Sequence, residues 1–221
     1  MYHISISESF RTACPMFKGA AVCAEVHNAP TPPQLWEEIA DCSTRLRAQY
    51  TPSTLKGREG IAATRLAYKA LGKDPSRYRP ACEQLARRIL QGKELYSVDA
   101  IVDLVNLVSL ESGYSTAAID AGKLSGNEIL LGVGREGEPY EGIGRGRLNI
   151  ESLPVYRDRM GAFATPTSDS TRTMVQADTR KLLVLINGYD GNVANLERST
   201  RLTRRLLECY ADAYGIAVTY Y

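Results

Sequence analysis

Five consecutive apolar residues, Leu182-Leu-Val-Leu-Ile186, place the strongest constraint on how this chain folds. The run is far too short to cross a bilayer, which takes about 20 residues as a helix. It offers no polar side to water, so it reads as a strand buried on both faces. A strand of that kind needs a real core around it. The chain has the means to build one, with 221 residues, 44% of them hydrophobic and 24% charged.

Helices dominate the first half. Thr31 precedes Pro32-Pro33, and proline suits the first turn of a helix because its missing N–H has no intrahelical partner there. The spacing of Leu35, Ile39, Cys42 and Leu46 then lines one face of a helix over residues 33–49. A second helix is expected over 60–71, ending at Gly72, and a third over 80–91 with Cys82, Leu85 and Ile89 as its apolar stripe. A fourth spans 98–112 and closes at Gly113, where a residue without a Cβ adopts the left-handed cap cheaply.

Strands are expected at both ends and through the second half. Residues 2–6 and 19–26 read as an N-terminal strand pair lying in one sheet, separated by a turn around Cys14-Pro15 and stopped by Asn28-Ala29-Pro30. Short strands follow at 128–133, 155–157 and 160–164, then the buried run. An amphipathic helix over 193–214, capped by Gly215, and a strand over 216–220 close the chain. Early helices and late strands, without repeats or low-complexity linkers, predict one α+β domain over residues 1–221, a mixed sheet with flanking helices.

Several function classes recede on composition. The opening Met1-Tyr2-His3-Ile4-Ser5 lacks the apolar run of a secretory signal, and no stretch is long enough to span a membrane. A cytoplasmic protein with no membrane association is expected. Cys14, Cys23, Cys42, Cys82 and Cys209 form no C-x-x-C pair, and only His3 and His27 are available to help them. Reduced thiols, no bound metal and no cofactor are therefore expected. Gly132-Val-Gly134-Arg-Glu-Gly137 spells a dinucleotide fingerprint, but Glu138-Pro139 continues it into a turn where that fold requires a helix.

A net charge of +2 does not announce a nucleic-acid binder. Two local groups remain: Arg77, Arg79, Arg87, Arg88 and Lys93 around the third helix, and Arg198, Arg201, Arg204 and Arg205 on the last. Each reads either as a phosphate-contacting patch or as a solvated helix face. The hydroxyl-rich stretches 112–116 and 165–173 read as turns or as pocket linings.

Longer segments carry a family likeness. Asp74-Pro-Ser-Arg-Tyr-Arg-Pro80, Arg87-Arg88-Ile-Leu-Gln-Gly-Lys93, Val102-Asp-Leu-Val-Asn-Leu-Val-Ser-Leu-Glu111, Ala118-Ile-Asp120-Ala-Gly-Lys-Leu124, Asp169-Ser-Thr-Arg172 and Asp178-Thr179-Arg180 follow one another in order. Together they resemble the B3/B4 tRNA-editing domain of the phenylalanyl-tRNA synthetase β subunit. That resemblance implies a pocket related to one that hydrolyses tyrosine misattached to phenylalanine tRNA, with Asn106 and Asp120 matching the family pattern and Gly161 in its pocket strand. Arg79, Arg87 and Arg88 become the expected RNA contacts, and tRNA or aminoacyl-tRNA the expected partner.

The departures from that pattern are specific. Val105 stands where editing domains have a threonine, Ala117 where they have a histidine, and no acid occurs between Leu182 and Ile186. Ser109, Ser115 and Thr116 are the nearby hydroxyls that remain to line such a pocket. Two readings follow: a trans-acting aminoacyl-tRNA deacylase, or a non-catalytic module that binds tRNA or an amino acid. A complete synthetase is not expected, because the likeness occupies most of the chain and nothing resembles an ATP site.

Overall fold

The computed structural model describes residues 2–221. Among them lie ten strands and six α-helices: β1 (His3–Ile6), α1 (Glu8–Ala13), β2 (Lys18–Glu25), α2 (Pro33–Gln49), α3 (Glu59–Ala70), α4 (Ala81–Leu90), α5 (Ala100–Ser112), β3 (Ser115–Asp120), β4 (Glu128–Val133), β5 (Glu141–Gly142), β6 (Gly146–Arg147), β7 (Pro154–Asp158), β8 (Gly161–Ala164), β9 (Lys181–Gly188), α6 (Val193–Tyr210) and β10 (Tyr214–Tyr220). The expected α+β class holds, with eight of the strands divided between two four-stranded sheets and β5 and β6 forming a separate hairpin.

One sheet runs β10-β2-β9-β3 and is antiparallel throughout; the other runs β1-β4-β7-β8, with β1 parallel to β4. The apolar run lies in β9, central in the first sheet. Leu182, Val184 and Ile186 point to a helical layer containing Leu35, Leu104 and Leu206, whereas Leu183 and Leu185 point to Ile129, Leu131 and Tyr156 of the second sheet. Alternate side chains of a strand leave opposite faces, so an unbroken apolar run is what a strand with cover on both sides requires. All five residues are buried.

The two N-terminal strands do not share a sheet. β1 pairs with β4, and β2 pairs with β9 and β10. Between them the chain forms α1, whose N-terminus is capped by Ser7 Oγ accepting from Phe10 N–H, and whose Phe10 is fully buried. A capped turn of helix with one buried aromatic changes the chain's direction, and the expected plain turn at Cys14-Pro15 lies just beyond it. The last helix also ends earlier than its pattern suggests. α6 stops at Tyr210, Asp212 takes φ 45°, and Gly215 (φ 62°) sits in an irregularity of β10 instead of capping a helix.

β3 is the element that the hydroxyl-rich sequence concealed. Ser115 and Thr116 read locally as turn residues, yet they begin a six-residue strand registered against β9, with Ser115 opposite Asn187. Gly113 (φ 77°) ends α5 as expected and delivers the chain directly into this strand. The glycine fingerprint opens no helix. Gly134 instead donates its N–H to Leu153 O and accepts from Ser152 N–H, holding the segment after β4 against the chain entering β7.

Candidate functional site

An open cleft of about 730 Å³ lies between the β5–β6 hairpin, β8 and a 3-10 turn at Thr171–Thr173. Tyr140, Arg147, Met160, Gly161, Thr171 and Arg172 are among its lining residues. β8 is an edge strand of its sheet, so backbone on its outer side is not committed to a neighbouring strand.

Its walls are held by buried ion pairs. Arg172 reaches both carboxylate oxygens of Asp158 at 2.9 and 3.1 Å and also donates to Gly161 O. Asp158 further accepts the N–H groups of Ser125, Met160 and Gly161, which shapes the turn from β7 into β8. Burial alone would push the Asp158 carboxyl up, but the Arg172 and backbone hydrogen bonds hold it below the usual carboxylate range. Glu138 is fixed in the same way by two 2.6 Å bonds from Arg157, and its pKa is likewise lowered against the effect of burial. These charged groups shape the cleft and neutralise one another.

Gly161 has φ 127°, a conformation open to glycine and costly for L side chains, although no atom lies where a Cβ would point. Tyr140 is buried and donates its hydroxyl to Ser168 O. Glu141 and Arg147 face each other across the hairpin and are exposed. They supply charge of both signs at the cleft's rim.

Asp169 stands apart. It is deeply enclosed, with part of its surface still open to solvent, and its Oδ2 accepts from Ala118 N–H on the free edge of β3. Burial pushes its carboxyl up to about 8, opposed only by that backbone hydrogen bond. A carboxyl of this kind exchanges a proton near neutral pH, the range useful to a general acid or base. Asp169 and Arg172 were both visible in the Asp169-Ser-Thr-Arg172 segment, though sequence reasoning did not single them out.

Of the six residues nominated for substrate binding, Gly161 lines the cleft and the others lie elsewhere. Ser109 Oγ and Thr116 Oγ1 hydrogen-bond to each other, and Thr116 Oγ1 donates to Val105 O, so this pair latches α5 to β3. Ser115 Oγ donates to Cys82 Sγ. Asp120 accepts from Thr179 Oγ1 and Gly122 N–H, closing a turn. Asn106 is half-buried on α5, with no side-chain hydrogen bond among the described residues.

The three nominated arginines divide. Arg87 Nε lies 3.1 Å from Glu83 Oε1, and Arg79 Nε lies 3.4 Å from the same oxygen without hydrogen-bond alignment. Arg88 instead stacks 4.0 Å from the centre of the Tyr96 ring and donates to Glu94 O. Val105 and Ala117, the positions departing from the editing pattern, are both buried in packed apolar surroundings. Among the described residues no cluster of three or more His, Cys, Asp or Glu could hold a metal, all five cysteines are free thiols, and no helix is long and apolar enough to cross a membrane.

A family model described as the B3/4 domain matches residues 63–210. The chain belongs to the B3/4 domain family. The match covers every residue lining the cleft and all the nominated positions, while β1, α1, β2, α2 and β10 lie outside it. Among solved structures, an N-terminal fragment of the phenylalanyl-tRNA synthetase β subunit from Pyrococcus horikoshii is similar, at 10% identity and a TM-score of 0.50. The alignment covers 97% of this chain and 49% of that one, so this B3/4 chain spans about half the length of that fragment. At that identity the likeness concerns the fold. No curated protein matches the chain.

Proposed function

We propose that this chain recognises the aminoacylated end of a tRNA and seats the esterified amino acid in the cleft beside Gly161. The observation that carries the reading is positional: within a B3/4 family match, the glycine expected in the family's pocket strand lines an open cleft of about 730 Å³. The lining also suits such a ligand. Tyr140 and Met160 offer apolar surface, Thr171 a hydroxyl, and Arg147 an exposed cation at the rim.

Hydrolysis of that ester is the finer part of the proposal. It requires a positioned water and stabilisation of the oxyanion, which backbone donors can provide. Asp169, one residue before the cleft-lining Ser170, is the group proposed to take a proton from that water once it is ionised, which occurs as pH rises through about 8. Recognition without cutting is favoured by a different observation: Val105 and Ala117 are sealed in apolar cores, so neither position offers a polar replacement for the editing residues.

Purified protein incubated with Tyr-tRNA and other mischarged species distinguishes the readings. Ester loss above buffer, abolished in Asp169→Asn, supports trans-acting deacylation. Saturable binding with no ester loss leaves the binding module. If aminoacyl-tRNA neither binds nor loses its ester, the proposal fails in both forms.

A further inference from the structure

We infer that the groove between α2 and the loop joining α4 to α5 docks unpaired RNA nucleotides, with Trp36 as its stacking wall; the inference rests on the aminoacyl-tRNA reading above. The groove has a volume of about 510 Å³ and is partly open to solvent. On α2, Trp36, Ala40, Thr44 and Arg47 recur at helical spacing and share one face. Small residues therefore lie between a large aromatic ring and a guanidinium. Trp36 and Arg47 are eleven helical steps apart, about 16 Å at 1.5 Å per residue, which is room for a short run of nucleotides.

The opposite wall carries Lys93 and Leu95, and next to it Arg88 lies 4.0 Å from the centre of the Tyr96 ring, itself 72% exposed. Aromatic surface interleaved with cations is the chemistry that binds single-stranded nucleic acid, since any base can stack while the cations track the backbone. The sequence did not display this interleaving, because Trp36 and Lys93 are far apart along the chain and line the same groove only once it folds, with Tyr96 flanked by lining residues Leu95 and Ser97.

Charge separates this surface from the other basic cluster. On α6, Arg201, Arg204 and Arg205 pair with Glu197, Glu208 and Glu38. Arg47, Arg88 and Lys93 have no carboxylate partner among the described residues, against one exposed acid on the groove's wall, Glu94. Uncompensated cations beside aromatic rings suit a phosphodiester better than an apolar peptide.

α4 connects this groove to the cleft. Gln84, near its start, holds Arg145 of the hairpin that walls the cleft, and Ile89, near its end, lines the groove. The inference places the aminoacylated end at Gly161 and the preceding nucleotides at the other end of α4, beside Trp36.

Trp36 is the single tryptophan of the chain, so its emission, excited selectively over tyrosine, reports on this groove alone. Titration with a short unstructured RNA ending in CCA, and with tRNA, should quench it. Trp36→Ala and the Arg47→Ala/Lys93→Ala pair should each weaken binding about tenfold. The double variant should also flatten the dependence of log Kd on log salt by about 0.7 per cation removed. Trp36→Phe, with circular dichroism confirming the fold, should retain most of the affinity.

RNA binding seen by gel shift, with Trp36 emission unmoved and the double variant at wild-type affinity, overturns the groove while leaving the aminoacyl-tRNA reading intact. No RNA binding by the wild-type protein overturns both. Quenching by an apolar peptide or a free aromatic compound, but not by RNA, also overturns the inference.

Discussion

Arg65 Nη1 lies 2.9 Å from Glu83 Oε2, and the Glu83 side chain is 1% exposed. Arg87 approaches the other oxygen of the same carboxylate at 3.1 Å and Arg79 at 3.4 Å. One buried anion thus gathers three arginines from α3, α4 and the segment between them. Two of the arginines that sequence alone offers to RNA are held inward by this contact.

Removing that anion leaves cations facing one another in a partly desolvated site, and breaking a buried pair by deleting one partner costs about 3–5 kcal/mol. Glu83→Ala is expected to lose stability on that scale in urea unfolding, with Glu83→Gln closer to the lower end. Arg87→Ala should lower the unfolding midpoint while changing RNA affinity little, and Arg88→Ala should do the reverse. Equal loss of RNA affinity in both arginine variants would refute this division.

Asp169 makes stability depend on pH in a definite direction. Its folded carboxyl titrates at about 8, against an ordinary value of 3.8. Between those values the folded chain keeps a proton that the unfolded chain has released, so this group's contribution falls as pH rises from about 4 to about 8 and is level beyond. Asp169→Asn should remove that slope and stabilise the protein at pH 8 by on the order of 2–4 kcal/mol, judged against the wild type at each pH. Parallel wild-type and variant curves across this window would show that Asp169 does not keep its proton.

Two glycines should fail for different reasons. At Gly134 an added Cβ would sit 1.7 Å from Ile150 O, a backbone atom that cannot step aside, so Gly134→Ala should cost about 3 kcal/mol or more and raise proteolytic sensitivity. At Gly161 nothing lies within 4 Å of the added atom, and the penalty comes from φ 127° alone. Gly161→Ala should therefore cost about 1–3 kcal/mol and fold, but impair aminoacyl-tRNA binding through a reshaped β8. Unchanged binding in a folded Gly161→Ala protein would move the aminoacyl site away from this cleft.

Periodicity and caps are local properties, and what rests on them was legible in advance. The helices at α2 to α5 follow from apolar spacing ended by turn and cap residues, and β9 follows from five apolar residues in a row. The family was legible as well from its ordered segments, and the B3/4 match over residues 63–210 shows it. β3 was not, because Ser115 and Thr116 prefer turns until β9 provides a partner strand and α5 provides Ser109 and Val105 as hydrogen-bond partners.

The sequence by itself thus determined the α+β class, the family and the strand that must be covered on both faces. Only the tertiary structure decided which strands share a sheet, which arginines turn inward to Glu83, and which segments close around Gly161. Helical spacing and apolar runs act over a few neighbouring residues, whereas the energy of a buried carboxylate or a free strand edge depends on groups that folding brings from far along the chain.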